Sequence, residues 1–162
     1  MNARFKDRKD AGRILADKLS KYTNHPNAVV LALPRGGVPV AYEVAQELGL
    51  PLDVLIVRKL GVPNHEELAM GAIASGGIRF LNRSVIESLR ILPETLEAVE
   101  RREALELMRR EAIYRGNRSP IQVEGRIVIL IDDGIATGST MRVAIQLLRA
   151  QHVQKIIVAT PA

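Results

Sequence analysis

The chain has no cysteine and no tryptophan, three histidines, and five residues of tyrosine and phenylalanine together. Without cysteine there is neither a disulfide framework nor a thiolate metal site, and His25, His65 and His152 are too scattered for an imidazole site. These absences argue against a transition-metal enzyme. No apolar run approaches the roughly eighteen residues of a membrane span. The opening MNARFKDRKDAGR lacks the apolar centre of a signal peptide. A soluble, cytoplasmic protein with no membrane partner is expected.

What is present is the composition of an ordinary globular protein: 162 residues, 47% hydrophobic and 25% charged. That is enough for one well-buried core, so a single domain over residues 1–162 is expected, either complete or the front of a longer chain. The net charge of +5 suits anionic partners, but it suits simple solubility equally and does not choose between them.

Apolar residues at Ala11, Ile14, Leu15, Leu19 and Tyr22 recur every three or four positions and predict an amphipathic helix over 7–22. Short continuous apolar runs at 28–33, 52–57, 126–131 and 155–160 predict four strands buried on both faces. Helices are predicted after the first and third of them, with Ala41, Val44, Ala45 and Leu48 facing inward in one and Met141, Ala144, Ile145 and Leu148 in the other. RKLGVPNHEELAM (58–70) reads as a loop with one helical turn, and Ser75-Gly76-Gly77 as the turn of a hairpin. Residues 82–115 are helical in pattern with a break at Pro93, and the stripe Leu96, Val99, Leu105, Met108, Ala112 marks the inward face of a charged helix. The fold class is α/β: a mainly parallel, Rossmann-like sheet flanked by helices, with a small hairpin and a helical insertion. Ligands of such sheets bind outside the carboxyl ends of the strands.

Two glycine-containing loops fall at that end. In VILIDDGIATGST (128–140) two aspartates close a buried strand, and a small, hydroxyl-rich turn then opens a helix. Small residues let several backbone N–H groups converge, and the helix start adds about half a positive charge, which favours a phosphate. Two carboxylates would repel that phosphate unless they serve a neighbouring group, and sugar hydroxyls are such a group, since Asp132 and Asp133 can accept from them. A capped helix start with solvated aspartates is the plainer alternative. The loop lacks the lysine of GxxxxGK[ST], and no GxGxxG follows any strand, so it is neither a P-loop nor a dinucleotide fingerprint.

Four hydrophobic residues, two acidic ones and a loop ending TGST resemble the signature of the type I phosphoribosyltransferases. PRGGVPVA (34–41) is similar to that family's pyrophosphate loop, VRKLGVP (57–63) to the step into its mobile loop, and the charged insertion to a branch of uncharacterised members. The resemblance implies that Asp132 and Asp133 hold the ribose hydroxyls of phosphoribosyl pyrophosphate. Gly134, Ile135, Ala136, Thr137, Gly138, Ser139 and Thr140 would cradle its 5-phosphate. Arg35, Gly36 and Gly37 would contact pyrophosphate, the glycines permitting close approach and unusual torsions, a non-proline cis peptide among them. Arg58 and Lys59 would neutralise the leaving group and, with the two aspartates, form the catalytic set. Mg²⁺ would be held mainly by substrate oxygens, with no dedicated protein ligands. The reaction implied is displacement of pyrophosphate from ribose C1 by a nitrogen acceptor, a nucleobase-like ring, in a homo-oligomer, a dimer.

Two features depart from the family. Where the hypoxanthine–guanine branch has an aspartate acting toward the purine, this chain has Ala136, so a base, if one is needed, would come from His65, Glu66 or Glu67. The sequence stops at Ala162, where relatives continue into a hood over the acceptor. Either the chain is a fragment, or the N-terminal segment, the helical insertion or a second subunit binds the acceptor. The rival reading is a regulatory module that binds phosphoribosyl pyrophosphate without turnover and meets nucleic acid through Arg101, Arg102, Arg109 and Arg110. The interspersed Glu94, Glu97, Glu100, Glu103, Glu106 and Glu111 argue against a nucleic-acid face.

Overall fold

The structure is a computed structural model, and it describes residues 7–134 and 139–161. Four parallel strands form the central sheet: β1 (Ala28–Ala32), β2 (Leu52–Val54), β6 (Ile127–Ile131) and β7 (Lys155–Ala159), in the order β2-β1-β6-β7. β1 and β6 are central and buried at every position, which is why both read as unbroken apolar runs. Their side chains alternate: Val30, Ala32, Ile129 and Ile131 pack under α1 (Arg8–Lys18) and α2 (Gly37–Leu48). Val29, Leu31, Val128 and Leu130 pack on the other side under α5 (Ser139–Ala150).

The expected parallel sheet is therefore present, but two of its strands differ from the sequence reading. β2 and β7 are the edges and are only partly covered, since an edge strand has a neighbour on one side alone. The predicted strand 52–57 also stops at Val54; Leu55 and Ile56 lie outside it, and Val57 starts a separate element.

That element is the main correction to the expected loop at 58–70. β3 (Val57–Val62) pairs antiparallel with β4 (His65–Ala74), and β4 with β5 (Ile78–Leu81), forming a second, three-stranded sheet. The polar end of β4, from His65 to Leu68, is exposed, so it lacks the alternation that marks a half-buried strand. The pairing register also shifts around Gly61, which blurs the pattern further. The turn at Ser75-Gly76-Gly77 is as expected, with both glycines at positive φ.

Asn82 caps α3 (Arg83–Ser88), and Pro93 occupies the first turn of α4 (Pro93–Arg115), where its missing N–H costs nothing. The inward face of α4 follows the expected stripe only at its start, where Val99 is buried and Leu96 packs against the same cluster. Leu105 and Met108 are 65% and 66% exposed, while Val99, Leu107 and Arg115 are buried. What turns the helix to this face is a set of polar contacts. Arg115 donates to the Asp53 carboxylate (3.0 Å), to the Val54 carbonyl (3.0 Å) and to Glu111 (3.0 Å), fastening the end of α4 to β2. In α5, Leu147 is fully buried and Ile145 only partly, a small rotation from the expected face. Among the described residues, no helix is long and apolar enough to cross a membrane.

Candidate functional site

Because β1 and β6 are paired in parallel with Ala32 opposite Ile131, their two following loops leave the sheet side by side. The Leu33 N–H donates to the Ile131 carbonyl (2.9 Å), carrying the ladder one step into the loops. The loop does contain a non-proline cis peptide, but at Pro34–Arg35 and not at the glycines. α2 starts at Gly37, directly beneath the aspartate pair.

The two glycines make this contact sterically possible. A β-carbon on Gly37 would lie 2.6 Å from the Ile131 carbonyl oxygen and 3.1 Å from the Asp132 Cα. A β-carbon on Gly36 would collide with the Asp133 carboxylate. Gly36 has φ −62°, so the requirement there is space and not an unusual torsion.

Asp132 is half-buried and Asp133 exposed, and the Asp133 N–H donates to Asp132 Oδ1 (2.8 Å). Burial holds the Asp132 carboxyl above its ordinary value, and the adjacent Asp133 carboxylate adds to the rise, against a lowering by that backbone hydrogen bond. Two carboxylates crowded in this way favour polar donors or a cation between them. Of the predicted phosphate loop, Gly134 precedes, and the backbone of Ser139 and Thr140 opens, the next helix; Ile135, Ala136, Thr137 and Gly138 lie outside the described residues.

Two hollows adjoin this place and share Val57 and Thr140. The smaller, about 230 Å³, is bordered by Arg58 and Lys59 as well, so the predicted basic pair does meet the start of α5. Arg58 is also engaged by α4: its Nε donates to Glu103 Oε2 at 2.7 Å. The larger hollow, about 590 Å³, has Arg35 at its edge, with Leu33, Leu55 and Ile56 below. Its far wall comes from α4 through Arg109, Arg110, Ile113 and Tyr114. The structure thus gathers Arg35, Arg58, Lys59 and Thr140 around two joined hollows, with Gly36, Gly37, Asp132 and Asp133 in one contact beside Arg35.

His65, Glu66 and Glu67 sit on the exposed beginning of β4 and border neither hollow. The sequence reading offered the helical insertion only as one of three candidates for the acceptor side and named none of these α4 residues for it. The i, i+4 spacing of Arg109 with Ile113 and of Arg110 with Tyr114 shows that each pair shares a helix face, but not what that face meets. Among the described residues no group of three or more His, Asp or Glu converges as a metal site.

A model of the phosphoribosyl transferase domain matches residues 3–162. A Mycobacterium tuberculosis protein (strain H37Rv), named for phosphoribosyl transfer, is 50% identical over 157 residues, covering 97% of this chain and 35% of its own length. The chain thus spans about a third of that relative. The crystal structure of TT1426 from Thermus thermophilus superposes with a TM-score of 0.81 at 40% identity, covering 98% of this chain and 74% of that one. A purine phosphoribosyltransferase from Pyrococcus horikoshii shares the fold at 17% identity, with a TM-score of 0.55 over 99% of this chain and 77% of that one. With this match along nearly its whole length, the chain belongs to the phosphoribosyl transferase family and has the α/β fold of the type I enzymes.

Proposed function

We infer that this domain binds phosphoribosyl pyrophosphate with Mg²⁺ and transfers its ribose 5-phosphate to a nitrogen acceptor, a nucleobase-like ring, with release of pyrophosphate. The observation that carries the reading is the packing of Gly36 and Gly37 against Asp132 and Asp133. It joins a loop suited to pyrophosphate to a pair suited to ribose hydroxyls, each followed by a helix start.

In this reading Asp132 and Asp133 accept hydrogen bonds from the ribose and orient C1. Residues 134–140 receive the 5-phosphate at the start of α5. Arg35, with the backbone at Gly36 and Gly37, holds the departing pyrophosphate, and Arg58 and Lys59 stand across the smaller hollow to take its charge. Bound Mg²⁺, held mainly by the substrate's own oxygens, would supply neutralisation of the pyrophosphate charge. Catalysis is then mostly positioning and charge stabilisation.

One observation favours the regulatory reading: Arg58 already has its charge matched by Glu103, which weakens its claim on a leaving group. Two measurements separate the readings. Calorimetry with phosphoribosyl pyrophosphate and Mg²⁺ should show binding that Asp132→Asn with Asp133→Asn abolishes; no heat from the wild type would reject both readings. Pyrophosphate release screened over a panel of ring acceptors should find a substrate. Binding with no release for any acceptor would leave the regulatory role. Homodimerisation belongs to the same proposal and is checked by light scattering.

A further inference from the structure

We propose that the inserted helix α4 forms the acceptor side of the site and that the acceptor is a flat heterocycle bearing a negative charge, such as a ring carboxylate. This rests on the phosphoribosyl-transfer reading and adds the class of acceptor and the residues that select it.

The larger hollow is chemically divided. Leu33, Leu55 and Ile56 make its floor apolar. Ile113, an apolar side chain left 69% exposed, stands in the wall beside Tyr114. Pyrophosphate gains nothing from Ile113, whereas a ring does, because it takes that exposed side chain out of water and can lie against the Tyr114 side chain. The volume of about 590 Å³ is within the span of small-ligand sites, roughly 300–1,000 Å³.

The charges of the same hollow point to the substituent. Arg109 donates to both oxygens of Glu106 (3.0 and 2.7 Å), and Arg110 donates to one of them (3.0 Å). Hydrogen bonds from Arg109 first and Arg110 second pull the Glu106 carboxyl down to about 2, so it stays ionised at any working pH. Two guanidiniums therefore share one carboxylate, which leaves one positive charge in excess on the α4 wall, apart from Arg35 at the pyrophosphate edge of the hollow. A neutral base would leave that excess charge unused. An acidic acceptor next to pyrophosphate would be repelled without it. Arg109 and Arg110 lie three and four residues after Glu106 on one helix, so both guanidiniums come to the same face and compete for one carboxylate that an acceptor's carboxylate can replace.

The test uses the full chain with phosphoribosyl pyrophosphate and Mg²⁺ and two matched acceptor pairs: uracil-6-carboxylic acid against uracil, and pyridine-3-carboxylic acid against pyridine-3-carboxamide. Pyrophosphate release should favour the acid of at least one pair by tenfold or more. Arg109→Ala with Arg110→Ala should erase that preference while changing the affinity for phosphoribosyl pyrophosphate, read by calorimetry, less than about threefold. Glu106→Gln should strengthen the preference, because it frees both guanidiniums; a merely structural helix would not respond in opposite directions to these changes. Equal or absent release with acid and neutral partners would overturn the proposal. So would a double variant that loses phosphoribosyl pyrophosphate itself, since the arginines would then serve the leaving group. A wild type that binds no phosphoribosyl pyrophosphate would remove the parent reading along with this one, and the calorimetric arm identifies that case.

Discussion

The Asp133 carboxylate lies so close against Gly36 that a side chain there would collide with it, so the loop after β1 and the acidic pair after β6 are one packed unit. Gly36→Ala puts no strain on the backbone, given its φ of −62°, and its whole effect is to push Asp133 away. The expected cost in stability is about 1–3 kcal/mol, the range for overpacking. Affinity for phosphoribosyl pyrophosphate should fall at least about tenfold, the value of one lost charge-assisted contact. Adding Asp133→Ala should return the melting temperature toward wild type and leave binding lost. A double variant no more stable than Gly36→Ala alone would show that the collision is not with Asp133.

Asp132 separates stability from function. Its carboxyl is raised by burial and then by Asp133, so the folded state binds this proton more tightly than the unfolded chain does. The associated stability is complete below the ordinary value of 3.8 and is lost as pH rises through the raised folded value. At neutral pH the ionised group is a burden on the fold. Asp132→Asn should therefore melt higher than wild type at pH 7, with the difference closing under acid, while binding of phosphoribosyl pyrophosphate drops. Thermal scans over pH 3 to 8, read beside calorimetry, check both halves; a lower melting point at pH 7 would contradict the argument.

Glu103→Gln unties Arg58 from α4. Both side chains are partly covered, so the loss should be modest, about 1 kcal/mol, or roughly 2–4 °C in a domain of this size. Released from Glu103, Arg58 should hold free pyrophosphate more tightly, by several fold in a competition assay. Unchanged pyrophosphate affinity would mean that Arg58 does not reach the leaving group.

Arg115 is 5% exposed, and its guanidinium joins Asp53, Glu111 and the Val54 carbonyl. Asp53 in turn accepts from the Ile121 N–H (2.9 Å), so the cluster ties β2, α4 and the segment after it. Arg115→Ala leaves a buried carboxylate unmatched and should cost about 3–5 kcal/mol in urea unfolding. Arg115→Met, which keeps volume but not charge, should not rescue it while Asp53 remains. Its full recovery would show that packing and not charge anchors α4.

Local chemistry was enough to read the central strands, because β1 and β6 are covered on both sides and every residue must be apolar. It was also enough for the two glycine loops, since a close approach between loops demands small residues wherever it occurs. The β3–β4 hairpin was hidden because its tip, at Pro63-Asn64, and the start of β4 face solvent and need no apolar alternation. The later half of the α4 face was misassigned for a related reason: Leu105 and Leu107 are equally apolar, and only the neighbours decide which turns inward.

By itself, then, the sequence determined the α/β class, the parallel core and the two glycine loops at its carboxyl end, all through short-range pattern and backbone geometry. Tertiary structure alone decided that Gly36 rests on Asp133, that Glu103 holds Arg58 across 45 residues, and that Arg109, Arg110, Ile113 and Tyr114 wall the larger hollow. Each of these joins positions far apart in the chain, and such contacts follow from how whole elements pack, which periodicity along a single element does not encode.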